Sequence, residues 1–80
     1  MLKTYLFKVI VEPDEGQWFA CCPVLEHRGA ATWGYTREQA LKNIKEVLVI
    51  TIESMIEHGE MIPNEYETQN FNELLVAITL

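Results

Sequence analysis

The sequence predicts an α+β domain whose elements follow in the order β-β-β-α-β. The expected sheet is mixed and four-stranded, of order 3-2-1-4, with one long helix on one face. Three observations predict it. Residues 4–12, TYLFKVIVE, alternate with a period of two. Residues 74–80, LLVAITL, do so again near the other end of the chain. Between them an apolar stripe recurs at i, i+3/i+4 from about Thr36 to His58. A length of 80 residues fits a single domain, residues 1–80. A chain of this size buries only about 60–65 % of its unfolded surface, so association with another chain is a common remedy.

In the first strand Tyr5, Phe7, Val9 and Val11 share one face, and Leu6, Lys8, Ile10 and Glu12 share the other. PDEGQ follows, with Pro13 pre-set for a turn and Gly16 free to take positive φ, and it reads as the longer loop of a hairpin. The second strand, QWFACC, sets Trp18, Ala20 and Cys22 against Phe19 and Cys21. PVLEHRG then reads as a connection punctuated by Pro23 and Gly29, with HRG as a polar turn, before a short third strand from about Ala30 to Trp33.

Thr36 and Gln39 form a capping-box pattern that opens the helix. Ala40, Leu41, Ile44, Leu48, Ile52 and Met55 make its buried stripe, Glu38 and Lys42 pair at i,i+4, and His58–Gly59 supplies the stop. VLVITI, residues 47–52, is β-branched enough for a strand, but cap, stripe and stop agree on one helix. EMIPNEYETQNFN is a long polar connection in which Pro63 forbids further helix. A right-handed crossover then returns the last strand parallel to the first.

The first and last strands are apolar on both faces, whereas one helix covers only one face of a sheet. Ile50 also projects away from the helix stripe, and Val47 and Val49 widen its apolar arc. Contiguous apolar surface of this kind marks an interface, here read as contact between copies in a dimer or tetramer.

The net charge is −6, and every Lys and Arg lies at or before Lys45. Beyond it come Glu46, Glu53, Glu57, Glu60, Glu65, Glu67 and Glu73 without a compensating base. That distribution disfavours direct contact with nucleic acid, which needs cations against phosphates, and it suits a basic protein partner. No stretch approaches the roughly 20 apolar residues of a membrane span, and no signal peptide is visible, so a cytoplasmic location is expected.

Few residues suggest chemistry. Cys21 and Cys22 are adjacent, which disfavours a disulfide between them, and neither cysteine nor His27 nor His58 has metal-ligand spacing. Glu12, Asp14 and Glu15 are the only carboxylates close enough to suggest a metal-dependent nuclease, and they read more simply as solvated residues at a turn. His27 has no nucleophile near it in sequence, and Ser54, the sole serine, sits on the helix. No enzyme activity, cofactor or metal is expected. Trp18 reads as a core filler, while Trp33 and Tyr35 fit core and interface alike.

The stretch from Pro23 to Leu41 resembles the HicB-like antitoxin family. The matching positions are Pro23, Leu25, Gly29, Ala30, Thr32, Gly34, Thr36, Glu38, Ala40 and Leu41. The resemblance extends to the acidic hairpin tip and aromatic strand (Asp14, Glu15, Gly16, Trp18) and to the helix exit (Glu57, Gly59, Glu60, Ile62, Pro63). It covers roughly residues 5–63. Val24 stands where the family usually has Asp, Ala30 where it has Cys, and Gln39 where it has Glu. The turn at Glu26–Arg28 is longer than the commonest form, which reshapes the surface near Gly29.

The resemblance implies a partial ribonuclease-H-like fold without nuclease activity. It further implies an antitoxin that masks the active site of HicA, a small basic mRNA-cleaving toxin. The repressor module that many members carry after this domain is not matched. The alternative reading is a solitary HicB-like homo-oligomer acting as a scaffold or small-ligand binder. Candidate partner-facing residues are Asp14, Glu15, Trp18, Trp33 and Tyr35, together with Glu53, Glu57 and Glu60 at the acidic helix end. Candidate contacts between copies are Val47, Val49 and Ile50.

Overall fold

The computed structural model describes residues 2–63 and 74–80. Strand β1 (Thr4–Asp14) is followed by β2 (Gln17–Cys21), a 3-10 helix (Pro23–Arg28), β3 (Ala31–Gly34), α1 (Arg37–Glu57) and β4 (Leu74–Thr79). The strands form one sheet of order β3-β2-β1-β4. Order, element types and the single long helix agree with the sequence reading.

The direction of β4 does not agree. It pairs antiparallel with β1, from Thr4 opposite Thr79 to Val9 opposite Leu74, so the sheet is antiparallel throughout rather than mixed. The crossover rule fixes the hand of a connection between parallel strands and does not itself set the direction of the returning strand. Here α1 starts beside the end of β3, and its far end lies beside the 3-10 helix, where Glu60 pairs with Arg28. By Glu57 the chain is at the end of the sheet where β1 begins, whereas β4 enters opposite Val9. The expected polar connection between them falls mostly on residues outside those described.

The first hairpin also differs from expectation. Asp14 pairs with Gln17 across a two-residue loop, and both Glu15 (φ 47°) and Gly16 (φ 85°) are left-handed, as the tight turn that matches strand twist requires. β1 therefore runs on through Pro13. Lys3 and Leu80 exchange both backbone hydrogen bonds, at 2.8 and 3.0 Å. In an antiparallel ladder this fixes the alternation, so odd-numbered residues of β1 point their N–H toward β4. β4 stops opposite Val9, and Pro13 lies beyond it, where the missing donor leaves no ladder bond unmade.

The connection read as a polar turn is a 3-10 helix with Leu25 fully buried at its centre. Gly29 closes it in the left-handed conformation, its N–H bonded to Glu26 O at 2.9 Å. His27 and Arg28 are exposed on its last turn.

Helix α1 starts and stops by the expected devices. The Gln39 N–H donates to Thr36 Oγ1 at 3.0 Å, and Gln39 Oε1 accepts from the Tyr35 N–H at 2.6 Å, one residue further out than the usual reciprocal bond. At the other end Glu60 N–H donates to Met55 O and Gly59 N–H to Ile56 O, the paired bonds of a Schellman stop, with Gly59 at φ 69°. VLVITI is helical, and its Leu48 and Ile52 are fully buried.

The core lies between α1 and one face of the sheet. Tyr5, Phe7, Val9, Ala20, Val76 and Ile78 meet Ala40, Ile44, Leu48, Ile52 and Met55, and Leu25 and Cys22 close one end. Gly34 sets the spacing at the other end. A Cβ there would lie 2.5 Å from Ala40 N and 2.9 Å from Ala40 Cα, so only glycine lets β3 run this close to the helix.

Candidate functional site

The sequence-derived partner-facing residues divide between opposite ends of α1. A helix of 21 residues separates them by about 30 Å.

The first group gathers where the hairpin tip, the end of β3 and the start of α1 converge. Phe19 and Trp33 are opposed in the β2–β3 register, and their rings meet at 5.1 Å between centroids. Trp33 Nε1–H donates to Asp14 Oδ2 at 3.1 Å, which ties the indole to the hairpin tip. Asn43 Nδ2 donates to Trp33 O at 2.8 Å, so the helix fixes the backbone of the same residue. Trp33 is nevertheless 47 % exposed and Tyr35 83 % exposed. With Gln17, Gly34, Gln39 and Asn43 they line a shallow depression of about 260 Å³. An indole held by Phe19 and Asp14, with its backbone fixed by Asn43, and still half in water is a rigid apolar platform.

Glu15 lies exposed at the turn, beside Asp14. Trp18 is not part of this surface. It is half-buried and packs against the core, as its first reading held.

The second group is acidic. Glu53 and Glu57 are exposed on the last turns of α1. Glu60 is partly engaged by Arg28, a pairing that sequence spacing did not suggest. His58 Nδ1 lies 2.7 Å from Ser54 O, so this imidazole serves the helix end. Arg28, Ile50, Thr51 and Ser54 border a second depression of about 220 Å³. Of the candidate contacts between copies, Ile50 is 70 % exposed, while Val47 and Val49 are half-buried and pack against the core.

Neither end groups three residues able to ligate a metal among the described residues, and the same holds for Glu12, Asp14 and Glu15. Both thiols are reduced and buried. Burial pushes the Cys21 thiol up from its ordinary value, with Glu26 and Glu12 adding to the shift. A thiol kept protonated in this way is a poor nucleophile. Among the described residues no helix is long and apolar enough to cross a membrane.

The open face of the sheet, opposite α1, is the surface that sequence reasoning located least well. Leu6, Ile10, Phe19, Trp33 and Leu75 lie on it around Lys8, with Ile10 39 % and Leu75 38 % exposed. The double apolar pattern of β1 and β4 had signalled an uncovered face without saying which one.

No family model matches the chain. It is 36 % identical over 62 residues to the UPF0150 protein ssr1765 of Synechocystis, covering 76 % of each chain. It is 37 % identical over 57 residues to the UPF0150 protein Ta0767 of Thermoplasma acidophilum, covering 71 % of this chain and 80 % of that one. The crystal structure of the N-terminal domain of the Burkholderia pseudomallei antitoxin HicB superposes with a TM-score of 0.65 at 24 % identity, covering 91 % of this chain and 94 % of the domain. On the whole HicB antitoxin from the same organism the TM-score is 0.61, and the match spans 61 % of that protein. The shared architecture is the antiparallel four-stranded sheet of order 3-2-1-4 with one long helix. The chain belongs to the UPF0150 family and shares the fold of the HicB N-terminal domain.

Proposed function

We propose that this chain is an antitoxin-like binding protein that neutralises a small basic HicA-type toxin by masking its active site. The observation that carries the reading is the fold match to the HicB N-terminal domain over almost the whole of that domain. Charge supports it, because a chain of net charge −6 with Glu53, Glu57 and Glu60 at one end of its helix steers a cationic protein. The Trp33–Tyr35 platform beside Asp14 and Glu15 supplies the other ingredient of a protein interface, rigid aromatic area rimmed by carboxylates. Binding through these groups needs no catalysis and no cofactor, and it takes place in the cytoplasm, where a toxin that cleaves mRNA acts.

The test is co-expression with the product of the adjacent reading frame. A small basic protein encoded there co-purifies with this chain, and Trp33→Ala weakens the complex at least about tenfold, as loss of an aromatic anchor does. An adjacent basic product that fails to co-purify overturns the reading.

A second reading, a solitary homo-oligomer serving as scaffold or small-ligand binder, is favoured by the exposed apolar side chains of Ile50, Ile10 and Leu75. In either reading the chain associates with copies of itself, with Val47, Val49 and Ile50 as the helix-side candidates. A genome with no basic product beside this chain selects the second.

A further inference from the structure

Among the described residues no strand lies along the edge of β4 away from β1. Because Lys3 and Leu80 form a hydrogen-bonded pair, the register makes Tyr5–Ile78, Phe7–Val76 and Val9–Leu74 hydrogen-bonded pairs as well. The intervening residues Leu75, Ala77 and Thr79 therefore direct their N–H and C=O away from β1. Among the described residues β4 has β1 as its one strand neighbour. Its sequence, LLVAIT, carries no charge and no proline, the devices that normally keep a sheet edge from pairing.

We infer that this edge pairs with β4 of a second copy, antiparallel about a two-fold axis through Ala77. The inference rests on the self-association stated above and moves its main contact from the helix to the sheet edge. Register follows from geometry. Opposed residues must point to the same face, so a symmetric pair centres on a residue and not between two. Centring on Ala77 places Ala77 against its own copy and Leu75 against the copy's Thr79, so all three outward-facing residues form ladder bonds within the strand. Centring on Val76 leaves Thr79 without a partner inside β4.

Charge selects a copy as the occupant. Two chains of net charge −6 repel unless they meet where neither carries charge, and Leu74–Thr79 is such a place. The two-fold axis also sends the acidic helix ends to opposite ends of the joined sheet. A basic partner, by contrast, gains nothing from a neutral strand.

Sedimentation analysis and cross-linking of the intact chain test this. Wild type self-associates, and Ala77→Pro, which deletes only the outward-facing donor, weakens association about tenfold or more by removing two hydrogen bonds per dimer. Ala77→Cys gives a disulfide-linked dimer on mild oxidation, since hydrogen-bonded antiparallel pairs lie about 5.5 Å apart at Cα, within disulfide range. Thr79→Cys, opposed by leucine, does not cross-link, and neither does wild type with its two buried thiols. A dimer that Ile50→Glu dissociates, while Ala77→Pro leaves it intact and Ala77→Cys gives no cross-link, overturns the edge pairing and keeps self-association on the helix. A wild-type chain that stays monomeric at tens of micromolar overturns both and leaves the toxin-binding reading untouched.

Discussion

The two faces of β1 differ by one residue of register and by nearly everything else. Tyr5, Phe7 and Val9 are buried against α1, with the Tyr5 and Phe7 rings stacked 6.5 Å apart. Leu6, Lys8, Ile10 and Glu12 face the other way, half-buried to exposed. The odd row is apolar throughout, whereas the even row alternates Leu6 and Ile10 with Lys8 and Glu12, so the pattern favours covering the odd row while leaving apolar side chains on the other. Gly34 and the Thr36 cap act on that preference by launching α1 onto the odd-numbered side. One face of the strand holds the molecule together, and the other is left for contact.

That contrast can be broken most directly at Phe7. Replacing it with alanine should cost about 3–5 kcal/mol, as for a fully buried aromatic, and chemical denaturation will show a midpoint shift without a change in slope. Gly34→Ala tests the launch point. The added methyl meets backbone rather than a flexible side chain, so strain of about 1–3 kcal/mol is expected, measured as a lower thermal midpoint. On the open face, Ile10→Thr should stay within about 0.5 kcal/mol in the isolated monomer, since the side chain is already partly in water. A loss as large as that at Phe7 would show that the open face is covered within the chain.

Cys21 gives the finest test, because it sits on the open side of β2 and is still buried. Burial first, and then Glu26 and Glu12, hold its thiol above its ordinary value in the folded state, so the unfolded chain loses its proton first as pH rises. The contribution is intact below the ordinary thiol value and is lost as pH climbs through the raised folded one. Cys21→Ala should flatten that part of the stability profile relative to wild type, and an unchanged slope would mean the thiol is accessible.

Sequence periodicity carried most of this architecture, and its failures have physical causes. The row Tyr5–Phe7–Val9, the helix stripe from Ala40 to Met55 and both helix ends were legible because each depends on neighbours within a few residues. The direction of β4 was not, since it depends on where a long connection delivers the chain. Glu15 hid the tight hairpin, because a glutamate seldom takes the left-handed conformation that the turn demands. The 3-10 helix was hidden because its apolar residues, Val24 and Leu25, are adjacent and show no period. At the candidate site the residue types were visible, but the Trp33–Asp14 bond joins positions 19 apart and has no local signature.

The pairing of β1 with β4 also governs how the molecule comes into being. Thr4 and Thr79, whose hydroxyls lie 2.9 Å apart, are separated by 75 positions along the chain. Contacts this distant in sequence pay their loop-closure entropy late, so the hairpin and helix can form while the sheet is still incomplete. Until β4 arrives, Tyr5, Phe7 and Val9 lack Val76 and Ile78 beside them, and β1, an interior strand of the finished sheet, is itself an open edge. The chain therefore passes through a sticky three-stranded stage that ends only when β4 docks on β1, which makes the rate of that docking the step at which aggregation competes with folding.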